Sequence, residues 1–269
     1  IIISLGVLFF KGLNLGIDFK GGTLIEVSTK NTSISELREI LSSNYNDVSL
    51  QEFGNENTIL IRLQNKSNQE SIETVNTVKN LIQDKVIEFR RSEFVGPTIS
   101  TELLYRGFQA VSFALISILI YIWLRFEWQF GFGAVVALTH DVLFTLGLLS
   151  ILNVEFSLAT IAAILTIAGY SINDTVVIFD RVRENLRKYK KMDLVDLFNL
   201  SVNNTLSRTV MTSVTTLLAL LSLFIFGGEV IRPFALTMII GVVIGTYSSV
   251  FIAVPTLLIF KFRPQDEDD

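Results

Sequence analysis

The sequence contains no cysteine and a single histidine, His140. Disulfides and thiolate metal sites are therefore excluded, and one histidine leaves few ligands for any other metal centre. Phosphate-binding glycine loops, a GxSxG nucleophile motif and the HExxH zinc motif are missing too. A basic domain with interleaved aromatic residues, the usual mark of nucleic-acid binding, is also lacking. We predict a protein that is not an enzyme, holds no metal or cofactor and binds no nucleic acid.

Charged residues are scarce, at 18% of the 269 residues, whereas 50% are hydrophobic. The mean hydropathy of +0.51 is typical of a membrane protein. A membrane-spanning helix needs about 20 mostly apolar residues. Five runs approach or exceed that length: 108–124, 130–152, 157–179, 209–226 and 234–260.

A shorter apolar run opens the chain, over residues 1–12. We interpret it as a truncated first transmembrane helix, although the apolar core of a signal peptide has a similar composition. With this segment the predicted protein has six membrane helices. Residues 106–263 form a five-helix membrane domain in this interpretation.

Residues 13–105 are polar and alternate between strand and helix patterns. Apolar alternation predicts strands, and Ser-x-x-Glu capping boxes predict helix starts. The predicted order is β-α-β-β-α-β, which is typical of a ferredoxin-like α+β domain. The predicted strands cover 23–29, 48–53, 57–64 and 86–94, with a Gly54-Asn55 turn between the second and third. The first helix runs from the Ser33–Glu36 box to 43, and the second runs from the Ser67–Glu70 box to 85. The apolar face of the second helix consists of Ile72, Val75, Val78, Leu81 and Ile82.

The distribution of basic residues predicts the orientation in the membrane. Seven arginines and lysines lie between residues 181 and 208, and Lys261 and Arg263 follow the last span. Basic residues concentrate on the cytoplasmic side of membrane proteins. We therefore expect an extracytoplasmic domain at 13–105 and an acidic cytoplasmic tail at 264–269.

Asp174 is the strongest candidate functional residue. It lies within the apolar run 157–179, roughly 7 Å from the basic end if the run is helical. An ionisable residue at this depth costs at least ~2.5–3.5 kcal/mol to insert, so such residues are usually functional. The alternative is that Asp174 only joins helices or meets penetrating water.

Other polar groups fall in or beside the spans. His140 and Asp141 are adjacent at the centre of 130–152 and favour either a proton pathway or a hydrogen-bonded helix contact. Arg208, Thr212 and Thr216 form a stripe on the next-to-last span, flanked by Thr209 and Ser213. Arg208 can either pair with Asp174 or extend towards the lipid surface. The Gly241–Gly245 spacing predicts close helix packing.

Several segments together resemble the SecF family of protein-export membrane proteins, within the SecD/SecF group of the RND superfamily, over nearly the whole chain. They are Leu15–Thr23, Val95–Pro97, Glu102-Leu103, Gly169–Asn185, Leu206–Thr209, Thr212-Ser213 and Thr215-Thr216. The sequence departs from the family pattern at Ile99-Ser100, where Val-Gly is usual.

The resemblance implies a bacterial inner-membrane subunit that pairs with SecD, associates with the SecYEG channel and often YajC, and contacts unfolded exported chains and lipid. It implies use of the proton-motive force, with Asp174 and Arg208 in proton coupling. The alternatives to this function are a non-motor scaffold or chain-binding subunit of the translocon, and one half of an RND exporter. Asn173 joins His140, Asp141, Thr212 and Thr216 as a candidate for a proton pathway or for helix packing. Candidates at the junction between the two domains are Gly21, Gly22, Gly96 and Pro97.

Overall fold

The computed structural model describes residues 1–30, 32–45, 48–52, 57–63, 68–228 and 230–260. Its helices are α1 (Ile2–Phe10), α2 (Ile17–Lys20), α3 (Ile34–Ser42), α4 (Asn68–Ile82), α5 (Pro97–Arg125), α6 (Trp128–Ile151), α7 (Leu158–Lys188), α8 (Leu194–Phe226), α9 (Arg232–Ser248) and α10 (Val254–Ile259). Its strands are β1 (Asn14–Leu15), β2 (Gly22–Thr29), β3 (Val48–Glu52), β4 (Thr58–Leu63), β5 (Val86–Val95) and β6 (Glu155–Phe156). The chain divides into two compact units, Leu15–Gln109 and Ile1–Asn14 together with the chain from Ala110 onward.

In the first unit, the elements follow one another as β2, α3, β3, β4, α4 and β5, which is the predicted β-α-β-β-α-β order. The four strands form a sheet in the order β3-β4-β2-β5 with antiparallel pairing throughout. Ile61 on β4 lies opposite both Leu50 and Ile25. One sheet face packs under the two helices, and the shared core includes Ile25, Val27, Leu37, Leu41, Ile61, Val78 and Ile82.

Strand β2 differs from its predicted environment. Its alternating pattern predicts a half-buried strand, but nearly every residue of β2 is buried. The reason is its central position, between β4 and β5. On the face away from the helix-covered core, Leu24 packs with Ile17 and Leu60 in a second small cluster.

The helices of this unit begin and pack largely as predicted. Ser33 Oγ accepts a hydrogen bond of 3.3 Å from the backbone N–H of Glu36, which confirms the first cap. The Glu36 carboxylate also pairs with Lys85, and this hydrogen bond raises the pKa of Lys85 above its ordinary value. The box starting at Ser67 and the Gly54-Asn55 turn lie outside the described residues.

Helix α4 covers the core with only part of the face predicted for it. Val78 and Ile82 are buried, whereas Ile72 is 68% exposed and Leu81 is exposed as well. Ile72 lies in the first turns of α4, beyond the part that packs on the core. Leu81 projects about 100° from its neighbour Ile82, away from the sheet.

In the second unit and the helix leading into it, five helices are long and apolar enough to cross a membrane among the residues described: Thr98–Arg125, Trp128–Ile151, Leu158–Lys188, Leu194–Phe226 and Arg232–Ile259. The chain is thus a multi-pass membrane protein.

Two of these helices extend well beyond the predicted spans. The apolar runs predicted spans that end at 179 and begin again at 209, but α7 continues to Lys188 and α8 already begins at Leu194. Val182, Leu186, Leu197 and Phe198 in these extensions are buried in the same core cluster as Phe130 and Phe179. Packing between the helices therefore stabilises them past the apolar stretch that the hydropathy pattern detects.

Glycines bring the membrane helices close together. A Cβ on Gly241 would overlap the side chain of Ile167 on α7, and one on Gly245 would lie 3.0 Å from the Cβ of Ser171. The predicted close packing at Gly241–Gly245 is confirmed. Helix α1 packs on α6 in the same way, since a Cβ on Gly147 would overlap Ser4.

The last span is interrupted by a π-helical turn, Ser249–Ala253, between α9 and α10. Pro255 follows this turn and has no N–H to donate to the carbonyl of Phe251, four residues earlier. Such π-turns frequently occur at functional sites.

Candidate functional site

Asp174 lies inside the membrane unit. It belongs to the buried face of α7 together with Ser171, Thr175 and Ile178, and only 4% of it is exposed. Its Oδ2 atom has no hydrogen-bond partner among the described residues. An ionised carboxylate in such surroundings is expensive unless it is paired. No hydrogen bond to Oδ2 neutralises Asp174 among the described residues.

Arg208 on α8 is the base that the sequence offers as a partner for Asp174. The two side chains nevertheless form no ion pair within 4.0 Å among the residues described, and Arg208 is exposed on the surface of this unit. The buried face of α8 instead carries Thr205, Thr209 and Ser213. Since Arg208 precedes Thr209, it projects about 100° away from that face.

Two hydrogen bonds define how α7 and α8 align. Asn185 Nδ2 donates to Ser201 Oγ at 2.8 Å, and Tyr170 OH lies 3.5 Å from Ser213 Oγ. In an antiparallel pair, these contacts place Asp174 at about the level of Thr209. The Oγ1 of Thr209 is likewise buried without a hydrogen-bond partner among the described residues. Two unsatisfied oxygens therefore occur in one layer of the α7–α8 pair.

His140 and Asp141 on α6 form a second polar cluster. Asp141 is fully buried, and its Oδ1 lies 3.0 Å from His140 Nδ1. Ser171 of α7 donates a hydrogen bond to the other oxygen, Oδ2. The two neighbours on α6 thus meet despite their divergent directions, and Asp141 links α6 to α7.

The sequence analysis missed the hydroxyl groups that extend this cluster. Thr175 Oγ1 donates to Ser249 Oγ at 3.1 Å, and Ser249 Oγ lies within hydrogen-bond distance of the carbonyl oxygens of Gly245 (2.8 Å) and Ser171 (3.4 Å). A hydroxyl network therefore runs from Asp141 to the π-turn and passes one helical turn from Asp174. Ser171 and Thr175, four residues apart on either side of Asp174, were the available signal.

The other predicted residues of the spans lie outside this network. Asn173 is exposed. Thr212 is half-buried, and its hydroxyl donates to the carbonyl of Thr209 at 3.0 Å. Thr216 is half-buried on the same helix.

The predicted junction residues come together in the polar unit. Gly22 pairs with Val95 across β2 and β5, directly before Gly96 and the first residue of α5, Pro97. Gly21 and Gly22 are buried and have φ values of 70° and 112°, which only glycine adopts without strain. The tight turn into β2 therefore requires both glycines.

This arrangement is suited to binding and releasing a proton rather than to covalent chemistry. Asp174 offers a carboxylate oxygen with no competing donor in the described part of the chain. In that same part, the structure holds no group of three histidine, aspartate or glutamate residues that could bind a metal.

Two family models match the sequence. "Protein export membrane protein SecD/SecF, C-terminal" matches residues 74–263, and "SecD/SecF GG Motif" matches residues 6–33, which include Gly21 and Gly22.

Curated relatives match over nearly the full chain. The "Protein translocase subunit SecF" of Rickettsia rickettsii (strain Sheila Smith) is 45% identical over 271 residues, covering 98% of this chain and 88% of the relative. That of Rickettsia bellii (strain OSU 85-389) is 46% identical over 268 residues, covering 97% and 88%. These names describe a transport component and not an enzyme.

Two solved structures are also similar. The crystal structure of "SecDF, a translocon-associated membrane protein" from Thermus thermophilus has a TM-score of 0.88, and "SecDF in Super-membrane-facing form" has a TM-score of 0.70. Each is 38% identical, and the match covers 97% of this chain but only 36% of the other chain. From the matched models and the identity to these relatives, the chain belongs to the SecD/SecF family of protein-export membrane proteins, as a member of its SecF branch.

Proposed function

We propose that this protein is the SecF subunit of a bacterial Sec translocase and that, with SecD, it uses the proton-motive force to assist late translocation and release of exported proteins. The observation that carries the proposal is the buried Asp174, whose Oδ2 has no hydrogen-bond partner among the described residues. A permanently charged carboxylate at that position would only cost stability. A role in taking up and releasing a proton explains why an ionisable residue occupies this costly position.

The mechanism follows from the two charge states of Asp174. Ionised, it is attracted by Arg208 on α8. Protonated, it loses that attraction and is a neutral group in apolar surroundings, so the two states favour different packings of α7 against α8. One proton crossing the membrane supplies ~2.3 kcal/mol per 100 mV, which shifts a two-state equilibrium by about fifty-fold.

A SecD partner is supported by the outer face of α8. Arg208 is exposed there and Thr212 is half-buried, although both lie on a helix long and apolar enough to span. Polar groups of this kind are costly against lipid and are normally covered by protein. The similar structures are of SecDF, and this chain matches only 36% of the SecDF chain. We propose as further partners SecYEG, YajC, the unfolded exported chain and lipid.

We also propose six membrane helices, counting α1, and a bacterial inner-membrane location. Helix α1 is apolar and packs on α6 through Ser4. We propose that the first unit is a ferredoxin-like domain on the periplasmic side, and its sheet order β3-β4-β2-β5 with two helices supports this. The domain ranges 1–12, 13–105, 106–263 and 264–269 and a cytoplasmic C-terminus complete the proposal. Motion of α5 would reach the periplasmic domain through Gly96 and Pro97.

The test is Asp174→Asn, which keeps the size of the side chain but removes the proton exchange. We expect this variant to co-purify with SecD and to lose the stimulation of protein release by a proton gradient. The measurement is release of a secreted protein from sealed vesicles, with and without the gradient.

Asp196→Asn is the matched control, because Asp196 is an exposed carboxylate in the first turn of α8. It should behave as the unmodified protein. Gradient-stimulated release by Asp174→Asn at the normal level would disprove proton coupling through this residue and leave the scaffold alternative. Transport of small hydrophobic compounds would instead favour an RND exporter.

A further inference from the structure

A basic cleft lies where α5 ends and α7 continues past it. The cleft has a volume of about 460 Å³ and is lined by Arg125, Asp180, Arg183, Glu184, Arg187 and Lys188. Four bases and two acids thus line it. It is separate from Asp174, which lies deeper along α7.

The acidic groups in and beside the cleft are already paired. Arg125 Nη2 donates to Asp180 Oδ1 at 2.8 Å, and Arg181 Nη1 donates to Glu184 Oε2 at 2.6 Å. Glu127 is the remaining acid nearby, with its Oε1 lying 3.7 Å from Arg183 Nε.

Two of the lining bases, Arg187 and Lys188, form no ion pair with an acid among the described residues. Lys188 Nζ instead lies over the ring of Tyr189, 5.2 Å from its centroid. The cleft therefore keeps an excess of positive charge that is available to an anion.

The position of the cleft identifies the anion. The two tryptophans of the chain, Trp123 and Trp128, flank Arg125 and are 72% and 55% exposed. Exposed tryptophans at the ends of membrane helices mark the headgroup layer of the bilayer. Basic pockets between membrane helices at that depth bind acidic lipid headgroups.

We propose that this cleft binds the phosphate of an anionic phospholipid, with Arg187 and Lys188 as the main ligands and Arg183 beside them. The arginines would supply paired N–H donors to the phosphate oxygens, and Lys188 a single ammonium. The site does not depend on the proposed proton coupling, because Asp174, Ser171, Thr175 and Ser249 are not among the residues that line the cleft.

The two tryptophans allow a direct test with the full chain in vesicles. Phosphatidylcholine vesicles would contain either brominated phosphatidylglycerol or brominated phosphatidylcholine, and bromine quenches tryptophan fluorescence on contact. We expect stronger quenching by the phosphatidylglycerol. Because R187Q/K188Q removes two charged donors to the phosphate, it should reduce the preference by about tenfold or more.

The matched control is K190Q/K191Q, which removes the same charge three residues further on but outside the cleft. It should keep most of the preference. Equal losses in the two double variants would mean diffuse attraction and overturn the site, as would equal quenching by both lipids with the unmodified protein. Displacement of the lipid by inorganic phosphate would overturn the assignment to a lipid. R187Q alone, at an exposed position, provides the measurement if the double variant does not fold.

Discussion

At the scale of single residues, the membrane unit contains two buried carboxylates in different situations. Asp141 has His140 and Ser171 as hydrogen-bond partners for its two oxygens, whereas Asp174 leaves Oδ2 unsatisfied among the described residues. A satisfied buried group stabilises a fold and an unsatisfied one destabilises it. We therefore propose a structural role for Asp141, which joins α6 to α7, and a role for Asp174 that requires its charge to change.

This difference predicts opposite effects on stability. Asp141→Ala leaves Ser171 and His140 without their acceptor and should destabilise the protein by about 1–3 kcal/mol. Asp174→Asn removes an uncompensated charge and should leave the unfolding temperature unchanged or raised. Thermal unfolding in detergent measures both. An unfolding temperature that falls for Asp174→Asn and not for Asp141→Ala would contradict the assignment.

At the scale of elements, the contact of α7 with α9 determines where Asp174 lies. Gly241 and Gly245 on α9 allow the backbones to approach at Ile167 and Ser171 on α7. This approach brings Thr175 into hydrogen-bond contact with Ser249 in the π-turn. A change of spacing between these two helices would therefore alter the surroundings of Asp174 directly.

Substitution of Gly241 tests this contact. Gly241→Ala introduces a Cβ that overlaps Ile167 and should destabilise the protein by about 1–3 kcal/mol. The shortened side chain of Ile167→Ala should restore part of the loss in the double variant. Gly169→Ala is the control, since a Cβ there meets nothing within 4 Å. Thermal unfolding of all variants provides the comparison, and equal stability of the two glycine variants would refute the packing argument.

At the scale of the whole molecule, the distribution of charge predicts opposite sides of the membrane for the polar unit and for the helix ends near Lys191. Six bases lie between Arg181 and Lys191, against the single acid Glu184. The proposed assistance to the release of exported chains favours this arrangement, because a polar unit on the far side of the membrane can meet the emerging chain.

The absence of cysteine makes the arrangement simple to test. Ser42 on α3 and Lys191 are both exposed and can be replaced one at a time by cysteine. In intact cells with a permeable outer membrane, a maleimide that cannot cross the inner membrane should label Ser42→Cys at once. Lys191→Cys should react only after the inner membrane is disrupted. Labelling of both positions in intact cells would show that the predicted orientation is wrong.

Much of the architecture followed from local patterns. Apolar alternation, the Ser33 cap and the long apolar runs predicted the strand and helix order and five of the membrane helices, because each depends on neighbours in the sequence. The depth of Asp174 within the third span followed as well, since its position in the apolar run fixes it, but its burial against other helices came from the structure.

Only the tertiary structure decided which side chains meet. The hydropathy pattern ended α7 near Phe179, but core packing of Val182 and Leu186 extends it to Lys188. The sequence left open whether Arg208 pairs with Asp174 or extends towards the lipid surface, and in the structure the buried face of α8 is that of Thr209. Rotation of a helix about its axis, and the contacts of Ser171 and Ser249 across three elements, depend on residues far apart in the chain, and no local pattern contains that information.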